Sequence, residues 1–403
     1  MNKGLKALII VLILALVFGG YSFFALSRTL PEIQATINPS IITPKISNDS
    51  NITWPAKGQS AVGVLGTKIL DTNNTQTPAP TASAAKLITA LMVLKAKPLS
   101  LNDPGPTYTI NANDVAIYNN YINEDGSSVD VAVGEQLTEY QMLQAMLLPS
   151  ANNIADTLAI WSYGSLSNYE IQANNYLSKM KLTGTTVGTD ASGFLPSTVS
   201  TAQNLVSIGE MVMQSPVLAQ IVQQPAVSNF PVMGTISNVN TLLGKDNIIG
   251  IKTGNTDQAG GVFVGAAETS VNGRPVTVVT ANMGSATLAD ALNSSVPLIA
   301  SAQANYHSVG LIDDGNTVAS YKIPWQKKTV PIIIDNDLGT YVWNNSAASV
   351  ALNINQVNSG HAAGSIVGHA LPSGIGIIFD KPVNLSINTP ISKPSITWRL
   401  LHP

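Results

Sequence analysis

A long uncharged segment at the amino terminus constrains this chain more than any other feature of its sequence. Residues 7–26, ALIIVLILALVFGGYSFFAL, carry no charge and are long enough to cross a ~30 Å hydrocarbon layer as a helix. Lys3 and Lys6 flank the segment on its short amino-terminal side, which predicts that this end stays in the cytoplasm. We therefore expect a single-pass anchor over 1–27 in the cell membrane, with the rest of the chain outside the cytoplasm.

A cleaved signal peptide is the alternative interpretation of the same segment. Ala25-Leu26-Ser27 loosely resembles a small-x-small cleavage site, although the apolar run exceeds the ~7 to 15 residues of a typical signal core. Both interpretations export everything that follows. They differ in whether the exported part keeps its anchor.

Composition excludes several kinds of chemistry. The formal net charge is −3 and only 11% of residues are charged, so no basic surface is expected to bind nucleic acid. Cysteine is absent, which removes thiol nucleophiles, disulfides and thiolate metal sites. The 4 histidines all follow residue 306 and are too scattered to indicate a metal site. Chemistry earlier in the chain must proceed without imidazole, and we expect no metal or other cofactor.

The exported part divides into three regions that differ in composition and in the periodicity of apolar residues. Residues 28–55 are rich in Pro, Asn, Ser and Thr without periodicity, which is typical of a spacer. Residues 56–306 place helical patterns between early and late strand-like runs, and this order predicts an α+β domain with an antiparallel sheet. Residues 307–403 consist of short β-rich runs separated by Gly, Asn and Pro, which predicts a small all-β domain.

The first of three short motifs is Ser83-Ala84-Ala85-Lys86. It follows a Pro-rich turn and opens an apolar helical pattern, so the Ser83 hydroxyl is expected near the positive end of a helix dipole. The three-residue spacing places the Lys86 amine over the same helical face, within reach of the Ser83 oxygen. A serine needs a base to take its proton, and lysine is available where histidine is absent. An ordinary helix start with a capping serine is the alternative.

The second motif is Ser150-Ala151-Asn152. It follows the apolar segment LQAMLLP, whose helix Pro149 should end, so its polar side chains are expected in a tight turn between two helices. In such a turn Ser150 can pass a proton to a leaving amine, and the Asn152 amide can bond a substrate amide. Plain turn chemistry is the alternative, because Ser and Asn favour turns in any protein.

The third motif is Lys252-Thr253-Gly254, which ends the strand-like run NIIGI. The small Gly254 lets a ligand approach closely, and an edge strand at this position can pair with an extended peptide. Lys252 and Thr253 offer a positive charge and a hydroxyl for a terminal carboxylate. If the motifs share a cleft, the charge of Lys252 also lowers the pKa of Lys86.

In this order the motifs resemble the signature of penicillin-binding proteins and serine β-lactamases. PTASAAKLITALMVL resembles the nucleophile segment of the low-molecular-mass D-alanyl-D-alanine carboxypeptidases, LLPSANNIADTLA their second segment and GIKTGNTDQAG their third. DASGF and STAQNL match smaller landmarks between them, and the resemblance covers roughly 56–300. It implies the penicillin-binding transpeptidase fold, an antiparallel sheet with a helical cluster, for this α+β domain. The β-rich region loosely resembles the pedestal domain of such enzymes.

The resemblance also implies a reaction. Ser83 would attack the penultimate D-alanine of a peptidoglycan stem peptide while Lys86 takes its proton, D-alanine would leave, and water would hydrolyse the acyl-enzyme. β-Lactam antibiotics should acylate Ser83, because they mimic the same dipeptide. The remaining roles implied by the resemblance are proton transfer by Ser150 and Lys252, substrate binding by Asn152 and Thr253, and an oxyanion hole from the backbone N–H groups of Ser83 and Asn255.

The sequence departs from the family pattern at several points. Relatives commonly have Asp where this chain has Asn153, and GSATLADALN lacks an arginine that often helps to bind the carboxylate. The terminal ITWRLLHP does not resemble their amphipathic carboxy-terminal anchor, which the amino-terminal helix would replace. No segment like that of the deacylating glutamate of class A β-lactamases lies between the second and third motifs. The alternatives are a D,D-endopeptidase, a β-lactamase and a catalytically silent wall-binding scaffold.

Overall fold

The computed structural model describes residues 3–46, 51–67, 69–344, 346–379 and 381–402. The chain forms two compact units, one from Met1–Asn48 with His307–Pro403 and one from Asp49–Tyr306. The first unit combines the amino-terminal helix with a large β-sheet, and the second combines another sheet with most of the helices.

The helices of the described ranges fall mainly in the Asp49–Tyr306 unit. In chain order the α-helices are Lys3–Ser27 (α1), Ala85–Ala96 (α2), Ala112–Asn123 (α3), Glu139–Leu147 (α4), Asn152–Tyr163 (α5), Leu166–Lys179 (α6), Ala202–Gln214 (α7), Pro216–Val222 (α8), Leu288–Gln303 (α9) and Ile396–Leu401 (α10). Short 3-10 helices span Pro39–Ile42 and Ala82–Ala84.

The strands belong to both units and include several very short ones. In chain order they are Ala35–Ile37 (β1), Lys45–Ile46 (β2), Gln59–Val64 (β3), Leu70–Asn73 (β4), Ala79–Pro80 (β5), Thr107–Thr109 (β6), Gln136–Thr138 (β7), Val199–Ser200 (β8), Ala226–Phe230 (β9), Gly234–Ser237 (β10), Ile248–Thr256 (β11), Gly260–Val271 (β12), Arg274–Ser285 (β13), Tyr306–Ile312 (β14), Thr317–Tyr321 (β15), Val330–Ile334 (β16), Leu338–Trp343 (β17), Ala347–Ile354 (β18), Ile366–Gly374 (β19) and Val383–Ile387 (β20).

A five-stranded antiparallel sheet forms the centre of the Asp49–Tyr306 unit. Its strand order is β11-β12-β13-β3-β4, so β11 is an edge strand among the described residues. Asn272 and Gly273 join β12 to β13, and their φ values of 51° and 74° give the left-handed backbone that a two-residue hairpin requires. The turn predicted at these two residues is confirmed.

Helices cover both faces of this sheet. Val264 of β12 belongs to the main core together with Val206 of α7, whereas its neighbour Phe263 belongs to a separate cluster with Ile299 of α9. Successive residues of a strand point to opposite faces, so α7 and α9 lie on opposite sides of the sheet. The expected α+β class, an antiparallel sheet with clustered helices, is confirmed.

α2 runs through the middle of the helical cluster and contacts α4, α5, α6 and α7. Its side chains Leu87, Ile88, Met92 and Val93 are buried on more than one face, as expected for a helix that is apolar all round. The same helix carries the fully buried Lys86. The packing of α2 therefore takes an amine into the core of the unit.

The other unit is built on a seven-stranded sheet in the order β1-β15-β16-β20-β19-β18-β2. Its core consists mainly of branched aliphatic side chains, among them Val318, Ile332 and Leu385, together with the buried ring of Tyr321. Most of its strands come from the region after Tyr306, where the sequence shows short β-rich runs.

The spacer predicted over 28–55 needs a correction. β1 pairs with β15, with Ala35 opposite Tyr321, and β2 pairs with β18, with Ile46 opposite Ala347. Part of the predicted spacer is therefore sheet. A short strand that adds to an existing edge takes its hydrogen bonds from that edge, so it needs no alternating pattern of its own. Residues 47–50 of the predicted spacer lie outside the described residues.

Among the described residues, α1 is the single helix that is long and apolar enough to cross a membrane, and its mean hydropathy is 2.6. Its side chains are almost all exposed, as expected of a helix surrounded by lipid. α10 contacts it near its carboxyl end, where the Tyr21 hydroxyl donates to the Leu400 carbonyl at 2.6 Å.

We predict that Ile88→Ala lowers the free energy of unfolding by about 2–5 kcal/mol, because it leaves a cavity in the core of α2. Ile88 is fully buried, whereas Ile171, also helical, is 55% exposed. Ile171→Ala is therefore the matched control, with an expected change within about 0.5 kcal/mol. Denaturant unfolding of both variants measures the difference, and equal values would contradict the packing described for α2.

Candidate active site

Ser83 lies on a short turn that leads directly into α2. The 3-10 helix Ala82–Ala84 precedes Ala85, the first residue of the α-helix, so Ser83 stands just before α2 rather than within it. Ala82 has a φ of 45°, a backbone that costs a non-glycine residue of the order of 1 kcal/mol. Strain of this kind next to a partly exposed serine is typical of a functional turn.

The Lys86 amine touches Ser83 and two further groups. Nζ lies 2.9 Å from Ser83 Oγ, 2.7 Å from Asn152 Oδ1 and 3.0 Å from the carbonyl oxygen of Ser192. These oxygens come from the turn before α2, from the start of α5 and from the loop after α6. The predicted nucleophile and base are therefore within hydrogen-bonding distance, and the second motif contacts the same amine.

The environment of Lys86 favours its neutral form. Burial lowers the pKa of the amine well below its usual value of 10.5, and the positive charge of Lys252 lowers it further. The carboxylates of Asp190 and Asp156 act in the opposite direction. A lysine with a strongly lowered pKa beside a serine hydroxyl can serve as a general base.

Ser150 lies in the turn between α4 and α5, as the sequence predicts, and Asn152 is the first residue of α5. α4 ends at Leu147 and α5 begins at Asn152, whose backbone N–H donates to the Ser127 carbonyl at 2.7 Å. Ser150 is buried and has a φ of 69°, the left-handed region that non-glycine residues seldom adopt. The turn thus holds Ser150 in a strained conformation close to the residue that contacts Lys86.

The third motif runs along β11 beside the turn that carries Ser83. A Cβ atom added at Gly254 would lie 3.0 Å from the backbone nitrogen of Ser83 and 3.0 Å from the Cβ of Ala82. A larger residue at this position would require the turn of Ser83 to shift by a few tenths of an ångström. Lys252 is buried, and its amine donates to the Thr253 carbonyl at 3.0 Å. Burial lowers the pKa of Lys252 to about 7.

Asn255 follows at the exposed end of the motif, one residue beyond the contact with Ser83. A cavity of about 480 Å³ adjoins it and is bounded by the β11–β12 turn and the start of α9, with Thr256, Thr287 and Leu288 among its lining residues. The free edge of β11 gives an extended ligand a place beside the turn of Ser83, and the cavity lies where that strand ends.

Sequence reasoning missed a group of buried polar residues behind Lys86. Asp156 accepts hydrogen bonds from the Tyr121 hydroxyl at 2.7 Å and from the Ala191 backbone N–H at 2.9 Å. Asp190 accepts from the Ser192 hydroxyl at 2.6 Å. Asp156 stands four residues after Asn152 on α5, and this spacing, which places both on one helical face, is the signal that could have identified it.

We predict that Gly254→Ala slows acylation of Ser83 by roughly 10-fold and by no more than about 100-fold. The added methyl group displaces the nucleophile turn by a few tenths of an ångström, and a shift of about 1 Å costs about 100-fold. Gly310→Ala is a control, because a Cβ at Gly310 meets nothing within 4 Å. Labelling with a fluorescent penicillin, with circular dichroism as a check of folding, measures the effect. A folded Gly254→Ala protein that labels at the wild-type rate would contradict the contact.

The fold and the site together define a class of enzyme. A serine hydroxyl bonded to a buried lysine amine, at the start of a helix that packs between an antiparallel sheet and a helical cluster, belongs to the serine hydrolases of penicillin-binding type. The D-alanyl-D-alanine carboxypeptidase family of serine peptidases, S11, matches residues 49–285. The chain belongs to this family. The resemblance seen in the three motifs is thereby confirmed.

Individual relatives agree with the family. The chain is 28% identical over 219 residues to a D-alanyl-D-alanine carboxypeptidase of a Streptomyces species, an alignment that covers 50% of this chain and 71% of the relative. It is 34% identical over 195 residues to the D-alanyl-D-alanine carboxypeptidase DacB2 of Mycobacterium tuberculosis, covering 47% of this chain and 62% of that protein. Serine D-alanyl-D-alanine carboxypeptidase activity is the function that these relationships support, and they do not favour the other activities considered.

The fold also matches a solved structure. Penicillin binding protein 5 from Haemophilus influenzae superimposes with a TM-score of 0.57 over 86% of this chain and 99% of that protein, at 18% sequence identity. At this identity the match speaks for the fold alone. It confirms the penicillin-binding transpeptidase fold expected from the sequence.

Proposed function

We propose that Ser83 is the nucleophile and Lys86 the general base of this carboxypeptidase, acting on the terminal D-alanyl-D-alanine of peptidoglycan stem peptides. The observation that carries the proposal is the 2.9 Å contact between a fully buried Lys86 amine and the Ser83 hydroxyl. A neutral amine at this distance can take the serine proton as the oxygen attacks.

The contacts of Lys86 support this role. A neutral amine has two hydrogens and one lone pair. The oxygens of Asn152 and Ser192 accept the two hydrogens, at 2.7 and 3.0 Å, so the lone pair is left for the Ser83 hydroxyl. In that arrangement Ser83 donates to Lys86, which is the geometry that proton transfer requires.

The reaction then proceeds in two halves. Ser83 Oγ bonds to the carbonyl carbon of the penultimate D-alanine, and its proton passes to Lys86. The negative oxygen of the tetrahedral intermediate is held by the backbone N–H groups of Ser83 and Asn255. When the C–N bond breaks, the proton held by Lys86 passes through Ser150 to the leaving D-alanine nitrogen, which returns Lys86 to its neutral form. Water then attacks the ester, and the proton that it loses returns to Ser83.

The substrate lies along the unpaired edge of β11 in this proposal. Asn152 holds the substrate amide, and Thr253 and Lys252 bind the terminal carboxylate. The segment 284–293, where relatives often carry an arginine for the carboxylate, has no arginine. In this proposal Lys252 and Thr253 therefore bind the carboxylate without its help. A β-lactam presents a similar carbonyl and carboxylate, and it acylates Ser83 by the same route.

For localisation, we propose that α1 is an uncleaved anchor and that both folded units lie outside the cytoplasm, facing the cell wall. The length and hydropathy of α1 and the lysines that precede its apolar run support this arrangement. A peptidoglycan substrate would also lie outside the cytoplasm, on the side where this arrangement places both folded units.

Two variants test the roles of Ser83 and Lys86. Ser83→Ala should form no covalent adduct with labelled penicillin, and Lys86→Ala should be acylated ~10²–10⁴-fold more slowly, because it lacks the base. Mass spectrometry locates the adduct, and D-alanine release from a pentapeptide measures hydrolysis. A labelled Ser83→Ala protein, or a wild type that releases no D-alanine, would contradict the proposal.

The pH dependence tests Lys252. Its pKa of about 7 means that the free enzyme loses this positive charge as the pH rises through 7. We predict that kcat/KM for the pentapeptide falls above about pH 7, because kcat/KM reports ionisations of the free enzyme. Lys252→Arg keeps its charge and should move the fall to higher pH. An unchanged alkaline limb in Lys252→Arg would assign the ionisation to another group.

A further inference from the structure

Asp156 is a buried carboxylate that the reaction scheme does not use. Its side chain is 5% exposed, one turn along α5 from Asn152. Oδ1 accepts the Ala191 backbone N–H at 2.9 Å, and Oδ2 accepts the Tyr121 hydroxyl at 2.7 Å. Both oxygens of the carboxylate therefore accept a hydrogen bond, one of them from the Ala191–Ser192 loop that contacts Lys86.

That loop is fixed on both sides of the contact with Lys86. The Ala191 carbonyl accepts the Thr89 hydroxyl at 2.6 Å, and the Ser192 N–H donates to Asp190 at 3.2 Å. Asp156 accepts the N–H of the same residue, Ala191, at 2.9 Å. Beyond the Ser192–Gly193 peptide, the Phe194 N–H also donates to Asp190, at 2.9 Å. The peptide that presents the Ser192 carbonyl is therefore held between anchored neighbours on both sides, in a buried loop.

The direction of the Ser192 carbonyl decides what the Lys86 amine can do. While this oxygen and that of Asn152 accept the two amine hydrogens, the lone pair points to Ser83. If the Ser192 carbonyl turned away, an amine hydrogen would be free to point to Ser83 Oγ instead. The amine would then donate to the nucleophile when it has to accept a proton.

We propose that Asp156 is a positioning residue for Lys86: through the Ala191 N–H it fixes the Ser192 carbonyl, which orients the amine toward Ser83. The inference rests on the proposed role of Lys86 as the general base. It assigns a role to a carboxylate whose hydrogen bonds go to Tyr121 and Ala191 and not to Ser83.

The charge of Asp156 adds an effect that can be measured separately. The carboxylate faces Lys86 from α2, Tyr121 from α3, Tyr169 from α6 and Asp190 from the loop after α6. Burial raises the pKa of Asp156 to about 6, so the group is charged above that pH. Its negative charge raises the pKa of Lys86, and removing the charge should lower the pKa of Lys86 further.

Two substitutions separate the hydrogen bond from the charge. Asp156→Asn keeps an oxygen for the Ala191 N–H but loses the charge, so the acidic limb of the acylation rate should move to lower pH. On that limb the variant should react faster than the wild type, because a lower Lys86 pKa leaves more of the amine neutral. Asp156→Ala loses both, and its acylation should be about 10- to 100-fold slower at every pH.

The experiment measures the rate of labelling by fluorescent penicillin against pH for the full-length protein and both variants. Thr157→Val is the matched control, since it removes a buried hydrogen bond to Asp114 at 3.2 Å from the next position of α5. It should lower the melting temperature and leave the rate per folded molecule and the pH profile unchanged.

The inference is overturned if Asp156→Asn and Asp156→Ala label with the wild-type rate and pH profile, or if they only lose stability as Thr157→Val does. Should Asp156→Ala fail to fold, Asp156→Leu replaces it, because leucine keeps the volume of the side chain but accepts no hydrogen bond from the Ala191 N–H. A wild-type labelling rate in folded Asp156→Leu rejects the inference. Failure of the proposed function looks different, because the wild type itself would then form no adduct at Ser83.

Discussion

The burial of the Lys86 amine is the interaction on which the rest of the catalytic unit depends. A charged ammonium without partners would cost several kcal/mol in the core, so it must be neutral or surrounded by acceptors. The structure provides three oxygens, from Ser83, Asn152 and Ser192. Two of these come from residues 66 and 106 positions away in the sequence, so only the folded unit can assemble them.

The same requirement explains the arrangement around the nucleophile. α2 has to enter the core to bury Lys86, which leaves Ser83 at the mouth of the helix on a strained 3-10 turn. β11 then passes so close to this turn that a side chain at position 254 would press against Ala82 and Ser83. The strained backbone at Ala82, the close approach of Gly254 and the burial of Lys86 thus accompany the placement of an amine beside a hydroxyl at the edge of a sheet.

Local patterns predicted much of this arrangement. The apolar helix after Ser83, the turn after Pro149 and the hairpin at Asn272-Gly273 have strong local signals, and all occur as expected. The polar groups behind Lys86 have no such local signal in the sequence. Ser192 contributes a backbone carbonyl, which no residue type encodes, and Tyr121 lies on α3, whose polar sequence ANDVAIYNNYIN shows little helical periodicity. β1 and β2 were missed because their pairing depends on distant edges of the sheet.

The central claim is that Lys86 is a neutral base in the resting enzyme. Nuclear magnetic resonance of protein with isotope-labelled lysine side chains measures its pKa directly, with Lys86→Met to assign the signal. The account predicts that the Lys86 amine titrates well below 10.5, while exposed lysines keep ordinary values. A Lys86 pKa near 10.5 in protein that reacts with penicillin would contradict it.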